Sequence, residues 1–414
     1  MSKKKNKAKL NPKAAVFRDG LAVQTGWGGY ISPQWTAYGA SYSGKNITAE
    51  SALQLSAVWA CVRLLAQTVS TLPVKLYRKE DNVRQALEGS HYLHQLLRIA
   101  PNKDQTPSKM FEFLVASLLL RGNAYFEKRI IGRRVVALIP ILPQAVQSIV
   151  RLDNGQYEYT FTRDNVRHTL PEEQIWHIRG FGIDGFLGLP GVQVGGNVFG
   201  TAAATDEAAG KMFAQGMSAS GFLTHENGFL KREQREVLQT QLNRFAGSQN
   251  AGKVMVLEAG LKYQGITLNP DAAQLLESRA FGVEEVCRWF GVPPMMIGHN
   301  GKSSTWGASV EALYQLYVST GVRPLLVNIE QSIRKDLLSG TDKAAVQAEF
   351  SVEGLLRGDT AARTAYYSAA VNNGWMSRND VRTLENLPAV DGGDDLTVQS
   401  ALIRLQDVGS NYSR

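Results

Sequence analysis

Gly301-Lys302-Ser303 combines three residue types that can cradle a phosphate: a glycine that lets backbone amides approach, a cation, and a hydroxyl suited to magnesium. A complete phosphate-binding loop needs another glycine five positions before Gly301, but Met296 stands there, and Gly298 leaves two intervening residues instead of four. Such a loop also leaves a strand, so that its amides converge on one anion. Here the preceding sequence reads as a helix followed by Pro293-Pro294. The other candidate groups are no more complete. His91 and His94 share a helix face at i and i+3 without a nearby acid or cysteine, too few ligands for a metal. Gly216-Met217-Ser218-Ala219-Ser220-Gly221 lacks the glycine two places after Ser218 that a nucleophile elbow requires. His177, His225 and His299 have no triad-like or metal-ligand spacing, and Glu172-Glu173 and Glu284-Glu285 read as solvated faces, the second pair also suited to lining a pore. Cys61 and Cys287, each inside a predicted helix, read as buried free thiols of a reducing cytoplasm. No catalytic constellation, cofactor site or metal site emerges, and the expectation is a protein that is not an enzyme.

The elements around the tripeptide are clearer than its chemistry. Asn269-Pro270-Asp271 places a cap and a proline at the start of a helix whose Leu275, Leu276, Val283, Val286 and Phe290 recur at helical spacing. Gly291 stands where a helix-ending glycine belongs, and Pro293-Pro294 cannot continue it. After Met295-Met296-Ile297 comes a polar loop, Gly298 to Thr305, and then a long helix from about Trp306 to Leu338 that includes Arg323-Pro324.

Upstream, Leu55, Val58, Cys61 or Val62, Leu65 and Val69 trace a helical face stopped by Pro73, and Val74 to Tyr77 reads as a strand. Thr106-Pro107 starts a second helix that Gly122 ends; strands follow at Asn123, around the Gly132 turn, and on both sides of Asp153-Asn154-Gly155. Another strand is expected at Ile175 to Ile178. The stretch from Leu189 to about Met217 is rich in glycine and alanine, weak as an isolated helix but able to approach neighbours closely. Strands at Ser220–Leu223, Lys253–Leu257 and Lys262–Ile266, a charged helix from Leu230 to Ala246, and a strand near Ala345 to Val352 complete this part. A helix after Asp359 is expected to turn Ala362, Tyr366, Ala369 and Ala370 inward, and Ser377-x-x-Asp380 reads as a capping box.

The net charge of +8 is concentrated: residues 1–13 hold six lysines and no acid, so the remainder is close to neutral. That excludes a strongly basic nucleic-acid clamp. The lysine-rich start reads as solvated and disordered, with nonspecific nucleic-acid contact through Lys3, Lys4 and Lys5 as its other use. No apolar stretch follows these lysines as in a secretory signal, and no run of about eighteen apolar residues exists to span a membrane.

Several stretches together resemble one family. The helix ending in FGVPP at Phe290–Pro294, its polar loop and its proline-bearing return helix resemble the phage portal family, the head-to-tail connector of tailed bacteriophages, in its siphovirus type. The helix-Leu-Pro-strand opening with Trp59-Ala60-Cys61-Val62, and the stretch NNGWMSRNDVRTLENLPAVDGGD at 372–394, resemble the same family. The resemblance covers about residues 48–395 and implies an α+β, multi-part subunit of wing, stem helices, clip and crown that assembles into a ring, a dodecamer in the family. Its parts would be a basic flexible arm (1–47), an α+β wing (48–187), a first stem helix region (188–223), a clip (224–268), a second stem helix (269–291), a tunnel loop (292–305), a return helix and strand to the wing (306–350) and crown helices with a tail (351–414). The implied function is a channel at a capsid vertex through which double-stranded DNA is packaged and ejected, in the virion and, during assembly, in the host cytoplasm. The implied partners are further copies of the chain, the DNA, the terminase large subunit, a head-tail adaptor, and a major capsid or scaffolding protein, with no membrane. His299, Asn300, Gly301, Lys302, Ser303 and Ser304 would face the DNA. The alternative is a nucleotide-hydrolysing DNA packaging or remodelling enzyme using Gly301-Lys302-Ser303.

Overall fold

Thr48 accepts a hydrogen bond from the Ser51 amide while the Ser51 hydroxyl accepts one from the Thr48 amide, and this reciprocal cap starts the short helix Ala49–Ala52. The first long helix, α1 (Ser56–Thr71), buries Val58, Cys61, Val62, Leu65 and Val69, with Leu55 just ahead of it, as their spacing predicts. Thr106 caps α2 (Pro107–Arg121) through the Lys109 amide, Pro107 opens it, and Gly122 closes it at φ 75°.

The computed structural model describes residues 30–31, 41–80, 83–87, 89, 91–183, 185–214, 221–225, 232–245, 261–265, 272–299, 310–340, 342–352, 360–385 and 387–397. The chain divides into two units, Met1–Phe350 and Ser351–Arg414.

In the first unit the strands are β1 (Tyr30–Ile31), β2 (Val74–Glu80), β3 (Val83–Ala86), β4 (Asn123–Ile131), β5 (Arg134–Ile141), β6 (Val146–Arg151), β7 (Tyr157–Arg163), β8 (Val166–Pro171), β9 (Ile175–Arg179), β10 (Gly221–His225), β11 (Leu261–Gly265) and β12 (Val346–Phe350). They pair antiparallel in the orders β1-β6-β7-β8, β5-β4-β9 and β12-β2-β3, with β10 beside β11. Expected turns appear at Gly132 (φ 62°) and Gly155 (φ 83°). A turn absent from the sequence expectations joins β7 to β8, with Asp164 and Asn165 at φ 51° and 60°, left-handed values that suit the twist of a tight hairpin. β4 is buried from Asn123 to Lys128, so both its faces are covered. One face places Tyr125 in a cluster with Ile141, Val146, Ile149, Tyr159, Phe161, Ile175 and Leu187. On the other, Phe126 meets Phe113 and Trp176, and Trp176 donates to the Ser332 hydroxyl at 2.8 Å.

The glycine- and alanine-rich stretch is a helix, α3 (Gly196–Ala214), which begins earlier than glycine content alone favours. α4 (Arg232–Phe245) matches the expected charged helix, and β11 has β10 as its partner; Lys253–Leu257 lie outside the described residues. α5 (Ala272–Phe290) packs along α3. The return helix runs from Val310 through the wide turn Tyr317–Val322 into α6 (Arg323–Asp336), after which β12 pairs with β2.

Hydrophobic periodicity places the first order near Thr48, but order reaches further toward the amino terminus. Tyr30 pairs with Val150 and Ile31 with Ile149. The Tyr42 amide donates to Asn197 Oδ1 at 3.0 Å, Lys45 pairs with Glu207, and Ile47 is buried. Gly200 makes this contact possible, since a methyl there would lie 2.4 Å from Ser41 Cβ. The segment is tied by polar contacts, which leave no hydrophobic period in the sequence.

In the second unit, α7 (Thr360–Asn372) ends at Gly374 (φ 74°), and Ser377 and Asp380 form the expected capping box of α8 (Arg378–Leu384). Ala370 is buried as expected. Tyr366 and Ala369 are exposed instead, Tyr366 lying edge-on to Trp375 at 5.4 Å.

The first unit closes on a buried polar knot. Asn123 Oδ1 accepts from the Gly188 amide at 3.0 Å and from His177 Nε2 at 2.9 Å, while its Nδ2 donates to the Gly188 carbonyl at 2.7 Å. His177 Nδ1 then accepts from the Tyr159 hydroxyl at 3.2 Å, which requires neutral imidazole. Burial, with Arg179 and Lys335 nearby, holds the His177 pKa well below the usual histidine range. Gly122 and Gly180 lie against each other, the Gly180 amide donating to the Gly122 carbonyl at 2.7 Å.

Two outcomes follow. Gly122→Ala places a methyl 2.1 Å from the Leu189 carbonyl oxygen at a left-handed φ. It is expected to cost at least about 3 kcal/mol in denaturant unfolding, against about 1 kcal/mol for Gly132→Ala, whose surroundings are open. Equal costs would show that the crossing is not tight. For His177 the unfolded chain takes up its proton first, so stability falls as pH drops below about 6.5 and continues to fall toward the depressed folded value. His177→Gln should flatten that part of the stability–pH curve; an unchanged curve would assign the acid sensitivity elsewhere.

Candidate functional site

The polar loop after α5 is held at both roots. At its entry, the Val292 amide donates to the Cys287 carbonyl at 3.0 Å and the Gly291 amide to the Arg288 carbonyl at 3.3 Å, with Gly291 at φ 66°. This is a Schellman closure, whose left-handed position only glycine takes cheaply. The pattern repeats one step later. After the tight turn Pro294–Ile297, the His299 amide donates to the Pro294 carbonyl at 3.0 Å and the Gly298 amide to the Met295 carbonyl at 3.1 Å, with Gly298 at φ 81°. Two successive closures therefore fix the direction in which the chain leaves α5.

At the exit, Pro324 lacks an N–H and cannot complete an ordinary helical ladder. The chain widens into a π turn, Tyr317–Val322, in which the Arg323 amide reaches back to the Val318 carbonyl. The Leu316 carbonyl accepts from the Thr320 hydroxyl at 2.7 Å and the Ser319 hydroxyl at 3.1 Å. The wide turn packs on α1: Tyr317 is buried with its hydroxyl 3.0 Å from Thr68 Oγ1, and burial raises its pKa to about 12. A methyl on Gly321 would lie 3.0 Å from the Gly291 carbonyl oxygen, so entry and exit touch.

α5 is held along α3 by small residues and charge. A methyl on Gly282 would sit 3.8 Å from Ala202 Cβ, and Arg279 Nε meets Asp206 Oδ1 at 2.9 Å. Phe199 packs edge-on to Trp289 at 5.9 Å. Beside them opens a groove of about 900 Å³ lined by Thr201, Ala202, Thr205, Phe281, Glu284 and His299. His299 Nε2 lies 3.7 Å from Glu284 Oε1, too long for a hydrogen bond, and Glu285 pairs with Arg288 instead of facing the groove alone. The groove brings together carboxylates, hydroxyls and one imidazole, without a nucleophile bonded to a base.

Of the residues the sequence singled out, His299 is placed at the loop root. Asn300, Gly301, Lys302, Ser303 and Ser304, like Lys3, Lys4 and Lys5, lie outside the described residues. What precedes Gly301 is helix and tight turn, not the strand that a phosphate-binding loop leaves. His91 caps the turn beginning at Tyr92 through its Nδ1, and its Nε2 lies 3.4 Å from Asp342 Oδ2. Among the described residues no cluster of three or more metal-ligating side chains occurs, and no helix is long and apolar enough to cross a membrane. Sequence reasoning missed the Tyr317–Thr68 bond and the Gly291–Gly321 approach. Pro324 beside Gly321 is the signal that could have located the wide turn.

Most of the chain matches known proteins. The family described as phage portal protein matches residues 56–386. The portal protein of Enterobacteria phage HK97 is 30% identical over 368 residues, 88% of this chain and 86% of that one. Among solved structures, the neck of an empty gene transfer agent particle, computed with C6 symmetry, includes a chain that matches with a TM-score of 0.58 and 23% identity, covering 86% of this chain and 98% of that one. The neck of the native particle, computed with C12 symmetry, gives a TM-score of 0.55 and 22% identity over 82% and 92% of the two chains. The fold is thus the α+β fold of portal proteins, and the chain belongs to the phage portal protein family.

Proposed function

We propose that this chain is the portal subunit of a siphovirus-type phage particle: a non-enzymatic ring at one capsid vertex through which double-stranded DNA is packaged and later ejected. The observation that supports this best is the family match across residues 56–386, which takes in both anchored roots of the loop. In this proposal α3 and α5 are the stem helices, residues 224–268 with α4 and β11 are the clip, and the segment from Gly298 to Thr305 is the tunnel loop. The clip meets the terminase large subunit during packaging and a head-tail adaptor afterwards, and the body contacts a major capsid or scaffolding protein. The subunit works in the virion after assembly in the host cytoplasm.

The charge distribution supports a conduit over a clamp. With six lysines in residues 1–13, the remainder is near neutral, and few phosphate contacts mean little affinity to resist sliding. Lys302, repeated around a ring, would form a girdle of positive charge whose individual contacts are weak and screened by salt. For the nucleotide-hydrolysing alternative only Gly301-Lys302-Ser303 argues, and the helix and tight turn ahead of it are the wrong context.

Head-to-tail contacts close into a ring when the rotation between neighbours divides the circle, and the two necks with a similar chain were computed with C6 and C12 symmetry. The purified protein is accordingly expected to scatter light as an assembly of twelve 45.4 kDa subunits, with closed rings in negative stain. Monomer alone, across micromolar concentrations and a range of salt, would overturn the ring. Lys302→Ala is expected to leave rings intact and change packaged DNA several-fold in a packaging assay. ATP binding that this variant loses would instead establish the enzyme, and failure to assemble would place Lys302 in a subunit interface.

A further inference from the structure

Cys61 on α1 and Cys287 on α5 face each other in the core, both free and both wholly buried, with their sulfurs 4.0 Å apart. Each is fixed on a regular helix among buried neighbours: Val58, Val62 and Leu65 around one, Val286 and Phe290 near the other. Their mutual hydrogen bond, together with burial, pushes the Cys61 thiol up; the same bond holds Cys287 below the usual thiol range, so Cys287 loses its proton first. A disulfide needs its sulfurs about 2 Å apart, so the two facing sulfurs at 4.0 Å must approach each other for the bond to form.

We propose that Cys61 and Cys287 are an intramolecular redox pair, which a two-electron oxidant of the peroxide class converts to a disulfide clamping α5 to α1. The Cys287 thiolate attacks a peroxide oxygen and becomes a sulfenic acid, releasing hydroxide. The Cys61 sulfur then displaces the sulfenic hydroxyl as the S–S bond forms. Each sulfur is oxidised by one electron, the peroxide is reduced to two waters, and the two thiol protons end in that water. Small oxidants reach a buried pair through local opening.

The clamp would act on the loop root, because the Cys287 carbonyl is the acceptor of the first closure. On the portal reading, on which only this timing rests, the pair stays reduced in the cytoplasm and closes when the particle meets an oxidising medium. The cross-link joins positions 226 residues apart, and constraint of the unfolded chain grows with loop length.

The test treats the reduced full-length protein with hydrogen peroxide under native conditions, followed by removal of peroxide, alkylation in denaturant, non-reducing electrophoresis and peptide mass mapping. The expected product is a Cys61–Cys287 peptide pair two hydrogens lighter than the reduced peptides. Faster migration and a melting temperature higher by roughly 5 °C should accompany it, both reversed by dithiothreitol. Cys61→Ser and Cys287→Ser should show none of these; Cys61→Ala and Cys287→Ala serve if serine prevents folding. Thiols that remain alkylatable, a sulfinic acid on one cysteine without a cross-link, or disulfides only between chains would each overturn the pair. Imaging the same sample separates the two proposals: the cross-link without rings upholds the pair against the conduit, and rings with free thiols do the reverse.

Discussion

Asn123 is buried at the point where α2 gives way to β4, and its one amide must satisfy three partners: both backbone groups of Gly188 and the imidazole of His177. A side-chain amide in such a place is costly if any partner is missing, since each unpaired buried polar group costs about 1–3 kcal/mol. Gly122, Gly180 and Gly188 carry no side chain at this crossing because their backbones touch. What depends on it is the start of α3. Residues 180–190 connect β9 to the short helix Gly191–Val194 and then to α3, so the amide that completes the sheet lobe also sets where the helix pair begins. The tautomer of His177 is fixed by the same bonds, which is why its proton balance is coupled to folding.

The pairing of α3 with α5 has a different character. It is built from small residues in close approach, the exposed ion pair of Arg279 with Asp206, and aromatic rings at one end. Surface ion pairs of this kind contribute at most about 1 kcal/mol, and the glycines of α3 weaken it as an isolated helix. Phe281 remains 59% exposed and Trp289 40% exposed on α5. In the proposed ring these apolar faces would be where further copies supply the burial that one subunit lacks. The segment from Ser41 to Ile47 lies on α3 already, its Lys45 paired with Glu207, so the amino-terminal arm shares in holding this helix.

Features written in single residue types were legible from the sequence. Gly122 and Gly291 mark helix ends because few other residues tolerate a left-handed φ, Thr106-Pro107 marks a start, and Asn154-Gly155 marks a hairpin. Pairings between distant residues were not legible. Nothing in the spacing of Cys61 and Cys287 says that their sulfurs meet, and nothing local shows Tyr30 beside Val150. Tyr366 was expected inward because its helical period allows it; the structure instead leaves it exposed beside Trp375. The candidate site was legible through its roots alone. FGVPP predicts the first closure, whereas the π turn leaves only Pro324 near Gly321 as a local trace, and its packing of Tyr317 on α1 is a meeting of distant residues. The family was recognisable because many ordinary elements recur in one order, not because any residue announces a reaction.

The anchoring of both roots also sets a length. Ten residues separate His299 from Val310. A fully extended chain advances at most about 3.6 Å per residue, and a strand that must go out and return spends half its contour on each leg. No atom of the backbone between the roots can therefore stand more than roughly 20 Å from the line joining them while the Gly298 closure and the start of the return helix hold. In the proposed ring that contour would be a mechanical stop: contact with whatever occupies the bore at any greater reach would require helix at a root to unwind first.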